Sequence, residues 1–82
     1  MSHVPHELPE EFPDKVELLR DLRQNNAHAA RLMDEYHDVN RVLHRVETNI
    51  EPMADIEALR LRKTRMTLKD QIARMLSQLA ET

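Results

Sequence analysis

The chain predicts an all-α protein: a long antiparallel helical hairpin of coiled-coil type with a short N-terminal helix. Three observations lead there. From Leu32 to Ile50 the apolar residues fall at alternating steps of four and three, through Leu32, Tyr36, Val39, Leu43, Val46 and Ile50. The same rhythm returns in Leu61, Leu68, Ile72, Met75 and Leu79, and Pro52 stands between the two runs. A 4-3 repeat keeps one seam of a helix against a partner helix, and two seams joined by a proline turn fold back on each other.

The elements follow in order. Residues 1–11 are polar, contain Pro5 and Pro9 and lack periodicity, so they read as a leader with little fixed structure, ahead of a single domain over 12–82. A short helix is expected at about 13–24: Pro13 suits a first helical turn, and Asp14 sits near the positive end of the helix dipole. Its apolar face is Phe12, Val16, Leu19 and Leu22, with Leu18 beside it.

Asn25-Asn26 then interrupts, and Asn26 is a good N-cap for a second helix over about 27–49. The repeat also permits one continuous helix through Asn25. A turn centred near Pro52, however, makes residues whose numbers sum to about 104 face each other. Leu43 then meets Leu61, Tyr36 meets Leu68 and Leu32 meets Ile72, which leaves Leu18 and Leu22 opposite no chain. Either the first helix folds back over Met75, Leu76 and Leu79, the favoured arrangement, or a second chain supplies the missing surface. Pro52 closes one long helix, within the turn Ile50-Glu51-Pro52-Met53, and a third helix runs over about 53–79. At roughly 1.5 Å per residue each arm is about 35–40 Å long, a rod rather than a globule.

Composition excludes much chemistry. Eighty-two residues make at most one small core, and the chain has no Gly, Cys or Trp. No glycine-rich phosphate cradle, thiolate zinc site or redox pair is expected, and neither is a catalytic group, a cofactor or a small-molecule substrate. No apolar run approaches a membrane span, and Met1–Pro9 lack the order of a secretory signal, so a cytoplasmic protein is expected. His37 and His44 stand seven apart, too far along a helix to share one ion; with Glu47 they read as a solvated face rather than a metal site.

Net charge is −3, unevenly spread: residues 1–57 hold 13 acids and 6 bases, residues 58–82 hold 2 acids and 6 bases. Opposite charge on successive arms favours an antiparallel pair.

Several local motifs, quoted as they stand, carry a family resemblance. His-Glu-Leu-Pro-Glu-Glu-Phe-Pro at 6–13, Asn-Ala-His at 26–28, Leu-Met-Asp-Glu-Tyr-His at 32–37, Ile-Glu-Pro at 50–52 and Leu-Lys-Asp-Gln-Ile at 68–72 resemble the YdcH-like family of short bacterial proteins. The resemblance implies a cytoplasmic bacterial helical hairpin and no active site. Many relatives have Pro in place of Ala27 and a Thr-Ser-Asp type of cap in place of Met53-Ala54-Asp55. Both helix starts should be looser here, with Asp55 left as an alternative cap.

Two surface patterns are candidate sites. Arg60, Arg62, Lys63, Arg65 and Lys69 form a basic stretch that nucleic acid could use. On a helical wheel, though, Arg60 and Lys63 point one way, Arg62 and Lys69 another, and Arg65 lies on the seam. Pairing with acids of the second helix such as Glu35 and Asp38 is the favoured role, with Arg65 setting register. A second apolar line, Leu59, Met66, Ala73 and Ala80, repeats every seven residues away from the main seam. It suits a second copy in a homodimer or a helix of another protein. Otherwise the first helix covers it through Phe12, Val16 and Leu19. The expected function is non-catalytic interaction or assembly, with a nucleic-acid accessory role as the alternative.

Overall fold

The computed structural model describes residues 4–48 and 52–81. Among these residues there are four α-helices, α1 (Leu8–Glu11), α2 (Val16–Asn25), α3 (Ala27–Glu47) and α4 (Asp55–Ala80), with a 3-10 turn at Pro13–Lys15 between the first two and a break at Asn26 between α2 and α3. No strand occurs among the described residues, and the molecule measures 44 × 28 × 18 Å. The long hairpin is α3 against α4. Ile50 and Glu51 of the expected turn lie outside the described residues; α3 closes at Glu47 with Thr48 as its C-cap, Pro52, Met53 and Ala54 are non-helical, and α4 opens at Asp55.

The helix starts repay attention to chemistry. Asn26 is extended (φ −141°, ψ 105°), and its Oδ1 accepts from the Ala29 N–H at 3.0 Å, the expected N-cap. At α4 the N-cap is Ala54, which has no capping side chain. Asp55 lies inside the first turn with Glu57, where a carboxylate favours the positive end of the dipole without capping it. Pro13 does open helical structure, but as a 3-10 turn. Lys15 departs from helical geometry (φ −128°, ψ 25°), so α2 proper starts at Val16.

The core follows the seams. Leu32, Met33, Tyr36, Leu68, Ile72 and Leu76 are buried together, with Leu19 and Leu22 of α2 in the same cluster. Met75 and Leu79 pack against the same cluster as Leu19 and Leu22, so α2 folds back on the hairpin at the open end. Register is set by a polar pair. Arg65 Nη1 donates to Asn40 Oδ1 at 3.0 Å, within a residue of the arrangement in which facing numbers sum to about 104. Leu43, toward the tip, is fully buried, and Leu61 is half-buried.

The leader departs from the expectation of little fixed structure. From Val4 onward it is seated on α3 by its backbone: Asn40 Nδ2 donates to the Pro5 carbonyl at 2.8 Å, and the Tyr36 hydroxyl donates to the His6 carbonyl. The leader turns at His6, where φ is 64°. Leu8 is buried, and α1 carries Glu11 to within 3.0 Å of Lys69 Nζ on α4. Burial pushes the Tyr36 phenol up to about 12, helped by the negative charges of Glu11 and Glu7 and opposed by Arg65.

The Glu11 carboxyl is held below its ordinary value, chiefly by the hydrogen bond from Lys69; burial opposes this, and the positive charges of Lys69 and His6 reinforce it. A depressed carboxylate contributes stability above its unfolded value, and that contribution is lost as pH falls through the lower folded value. Leader docking should therefore weaken on acidification below about 4.5, the ordinary value for Glu. Amide chemical shifts of residues 4–12 followed through an acid titration check this. Glu11→Gln should remove the Glu11 part of the change, and an unaltered profile in that variant would defeat the assignment.

Candidate interaction surface

The outer side of α4 carries both candidate patterns. Ile56, Leu59 and Met66 are 63%, 46% and 60% exposed, and with Val16 they are the large apolar side chains left in solvent among the described residues. Ala73 is half-buried and Ala80 exposed. The alternative in which the first helix covers this line is corrected. Phe12 and Leu19 pack against the core cluster and Val16 stays exposed, because α2 inserts beside the seam rather than over α4's back. Ile56 is the member sequence reading missed; it stands three residues before Leu59, one turn along the same face.

The bases divide as the wheel divides them. Arg60 and Lys63 join Ile56 and Leu59 around a hollow of about 290 Å³. Arg62 and Lys69 lie on the other flank, where Arg65, Met66, Tyr36, His6 and Glu11 line a second hollow of about 290 Å³. The internal ion pairs differ from expectation: Arg62 meets Glu47 at 3.7 Å and Lys69 meets Glu11, whereas Glu35 and Asp38 are exposed and pair with no α4 base. Geometry explains the change. Glu47 follows Tyr36 by three helical turns and so faces α4, while Glu35 and Asp38 both turn away from it, about 100° and 160° round the helix from Tyr36. Arg62 and Glu47 are both largely exposed, so their attraction is screened and weak.

Buried Asn40, half-buried Arg65 and the Pro5 carbonyl form one hydrogen-bonded junction between α3, α4 and leader. Arg65 as a register-setting residue was legible; Asn40 was not, because a polar residue beside the apolar line reads as surface.

A further hollow, of about 470 Å³, lies among leader, α2 and α3. Its floor is core side chains such as Leu8, Leu19 and Met33, and its rim holds the pairs Arg23–Asp34 at 2.9 Å and His37–Glu7 at 3.1 Å. The His37 expected to be solvated thus helps to hold the leader; His44 is half-buried. Among the described residues no group of three His, Cys, Asp or Glu is placed to hold a metal ion, and no helix is long and apolar enough to cross a membrane.

A family described as a protein of unknown function (DUF465) matches residues 30–76, more than half of the chain and nearly the whole α3–α4 hairpin. The chain belongs to DUF465. These are the YdcH-like small helical proteins, in agreement with the resemblance carried by the motifs. No curated protein and no solved structure is similar to it. The DUF465 match takes in Leu59, Met66 and Ala73 together with all six bases of α4, while the leader and α2 lie outside it.

Proposed function

We propose that this DUF465 protein is a non-catalytic interaction protein of the bacterial cytoplasm that docks a helix on the outer face of α4. The exposed line Ile56, Leu59, Met66 supports this reading. A two-helix hairpin buries one seam, and α2 closes the open end of that seam while leaving α4's back bare. Apolar side chains aligned on one helix face form the surface that another helix buries. Two occupants fit in principle: a second copy, giving a C2 four-helix arrangement, or a helix of a different protein.

Nucleic acid is the second reading, favoured by the convergence of Arg62, Arg65 and Lys69 on one hollow. Against it stand the net charge of −3 and the state of Tyr36, the aromatic at that hollow, which is buried and tied to the His6 carbonyl. That ring is not free to stack on a base.

A photo-crosslinking residue placed at Leu59, Met66 or, as a control, exposed Glu35 tests docking in cells that make the protein. Discrete protein adducts are expected from the first two positions and not from the third, and Ile56→Glu should abolish them. The adduct mass separates a second copy from a different protein. Equal adducts at all three positions, or adducts with nucleic acid alone, would overturn the proposal.

A further inference from the structure

We propose that the hollow among leader, α2 and α3 binds a small amphiphile, an aliphatic carboxylate whose chain lies on the apolar floor and whose head meets Arg20. The site is separate from α4's outer face and stands whether or not a helix docks there. Its volume of about 470 Å³ falls within the range of about 300–1,000 Å³ that small-molecule sites occupy. Three elements wall it. Leu8 of α1, Leu19 of α2 and Met33 of α3 form the floor, and Pro9 and Val16 border it, so a hydrocarbon chain lying there touches carbon from each. Val16 is one of the large apolar side chains left in solvent among the described residues, 38% exposed, and an occupant of the hollow covers it.

The hollow is polarised along α2. Val16 and Leu19 stand one helical turn before Arg20 and Arg23 on the same face, so apolar lining gives way to cations over about 5.4 Å. Four charged side chains and His37 edge the hollow, and one of them is left over. Arg23 meets Asp34 at 2.9 Å and reaches the Ala30 carbonyl at 3.4 Å, and Glu7 meets His37 at 3.1 Å. The Arg20 guanidinium has no ion pair or hydrogen bond with any described residue. The spare capacity of the rim is therefore that of a donor, and the group that answers it is an acceptor carrying negative charge. A carboxylate fits the planar fork of a guanidinium through two parallel hydrogen bonds. An ammonium head finds both rim carboxylates already engaged, and an alcohol brings no charge to Arg20.

The test titrates the full chain with sodium octanoate and follows amide chemical shifts, with octanol and octyltrimethylammonium as probes that keep the tail and change the head. Octanoate should shift the amides of Glu7, Leu8, 16–23 and 33–37, and at about 0.15 M salt bind at least about fivefold tighter than either probe. Affinity should rise about two- to fourfold for each methylene added between hexanoate and octanoate, as when a CH₂ leaves water. Arg20→Gln should remove the preference for the carboxylate and leave octanol binding as it was. Val16→Glu sets a carboxylate beside the chain, in a first helical turn that tolerates an acid, and should weaken octanoate at least about tenfold. Circular dichroism confirms that both variants keep the fold. Equal binding of the three heads, no dependence on chain length, a preference that survives Arg20→Gln, or a Val16→Glu chain that binds as the wild type would each overturn the proposal. So would the absence of any shift at about 10 mM octanoate, beyond the millimolar Kd of a weak site. Shifts confined to 56–66 would overturn it too, while leaving the docking reading of α4 untouched.

Discussion

Ile72→Ala should lower unfolding stability by about 2–5 kcal/mol, the range for truncating a buried Ile where the surroundings collapse only in part. Ile72 is fully buried in the cluster where α2, α3 and α4 meet, so its loss opens a cavity that three helices would have to close together. Total stability for a chain this small is only about 5–15 kcal/mol, so the loss is a large share of it. Urea unfolding monitored by helicity is the measurement. Leu43→Ala, at a fully buried site outside that cluster, should fall in the same range. A loss under about 1 kcal/mol at both sites would mean the seam is not packed as described.

Removing either partner of the Asn40–Arg65 bond should cost about 1–3 kcal/mol, because a half-buried guanidinium or a backbone carbonyl is left without its partner. Asn40→Leu strips the acceptor from Arg65 and the donor from the Pro5 carbonyl at once. Arg65→Met leaves Asn40 Oδ1 without that donor. The double variant should cost clearly less than the two single losses combined, since a polar pair replaced on both sides by apolar groups is often nearly neutral. Stability should recover in the double variant while leader docking does not, because Pro5 still lacks its donor. Additive losses in the cycle would show that the two residues act independently.

The hairpin was legible because its cause is periodic. A 4-3 step declares a seam, a proline declares the break, and the break's position dictates register, which the Asn40–Arg65 pair then realises. The fold-back of α2 was legible because Asn25-Asn26 interrupts the helix and the apolar face of Leu19 and Leu22 needs a surface to bury it. What escaped has no side-chain signature. The leader is held through the carbonyls of Pro5 and His6, groups that every residue carries. Ile56 escaped because the heptad line was counted from Leu59 onward, although it sits one turn earlier on the same face. The pairing of bases was misassigned because charge counts ignore direction. Glu35 and Asp38 had the right sign but the wrong side of α3, and Glu11 reaches Lys69 from a segment with no visible structure of its own.

The buttress is placed at one end only. α2 thickens the rod where α3 begins and α4 ends, and leader and α1 continue the buttress to the middle, at Tyr36, Asn40 and Lys69, where the main cluster stops. Toward the tip, Leu43 and Ala58 are buried outside the cluster, between two helices alone. Cooperativity is therefore graded along the rod: the thick end opens with the whole fold, and the thin end can open at lower cost. Ile56 and Leu59 belong to the thin end, while Met66 lies nearer the main cluster. A helix bound across all three would act as a third stave for the thin end of the hairpin. Occupancy of the face and order at the tip then rise and fall together.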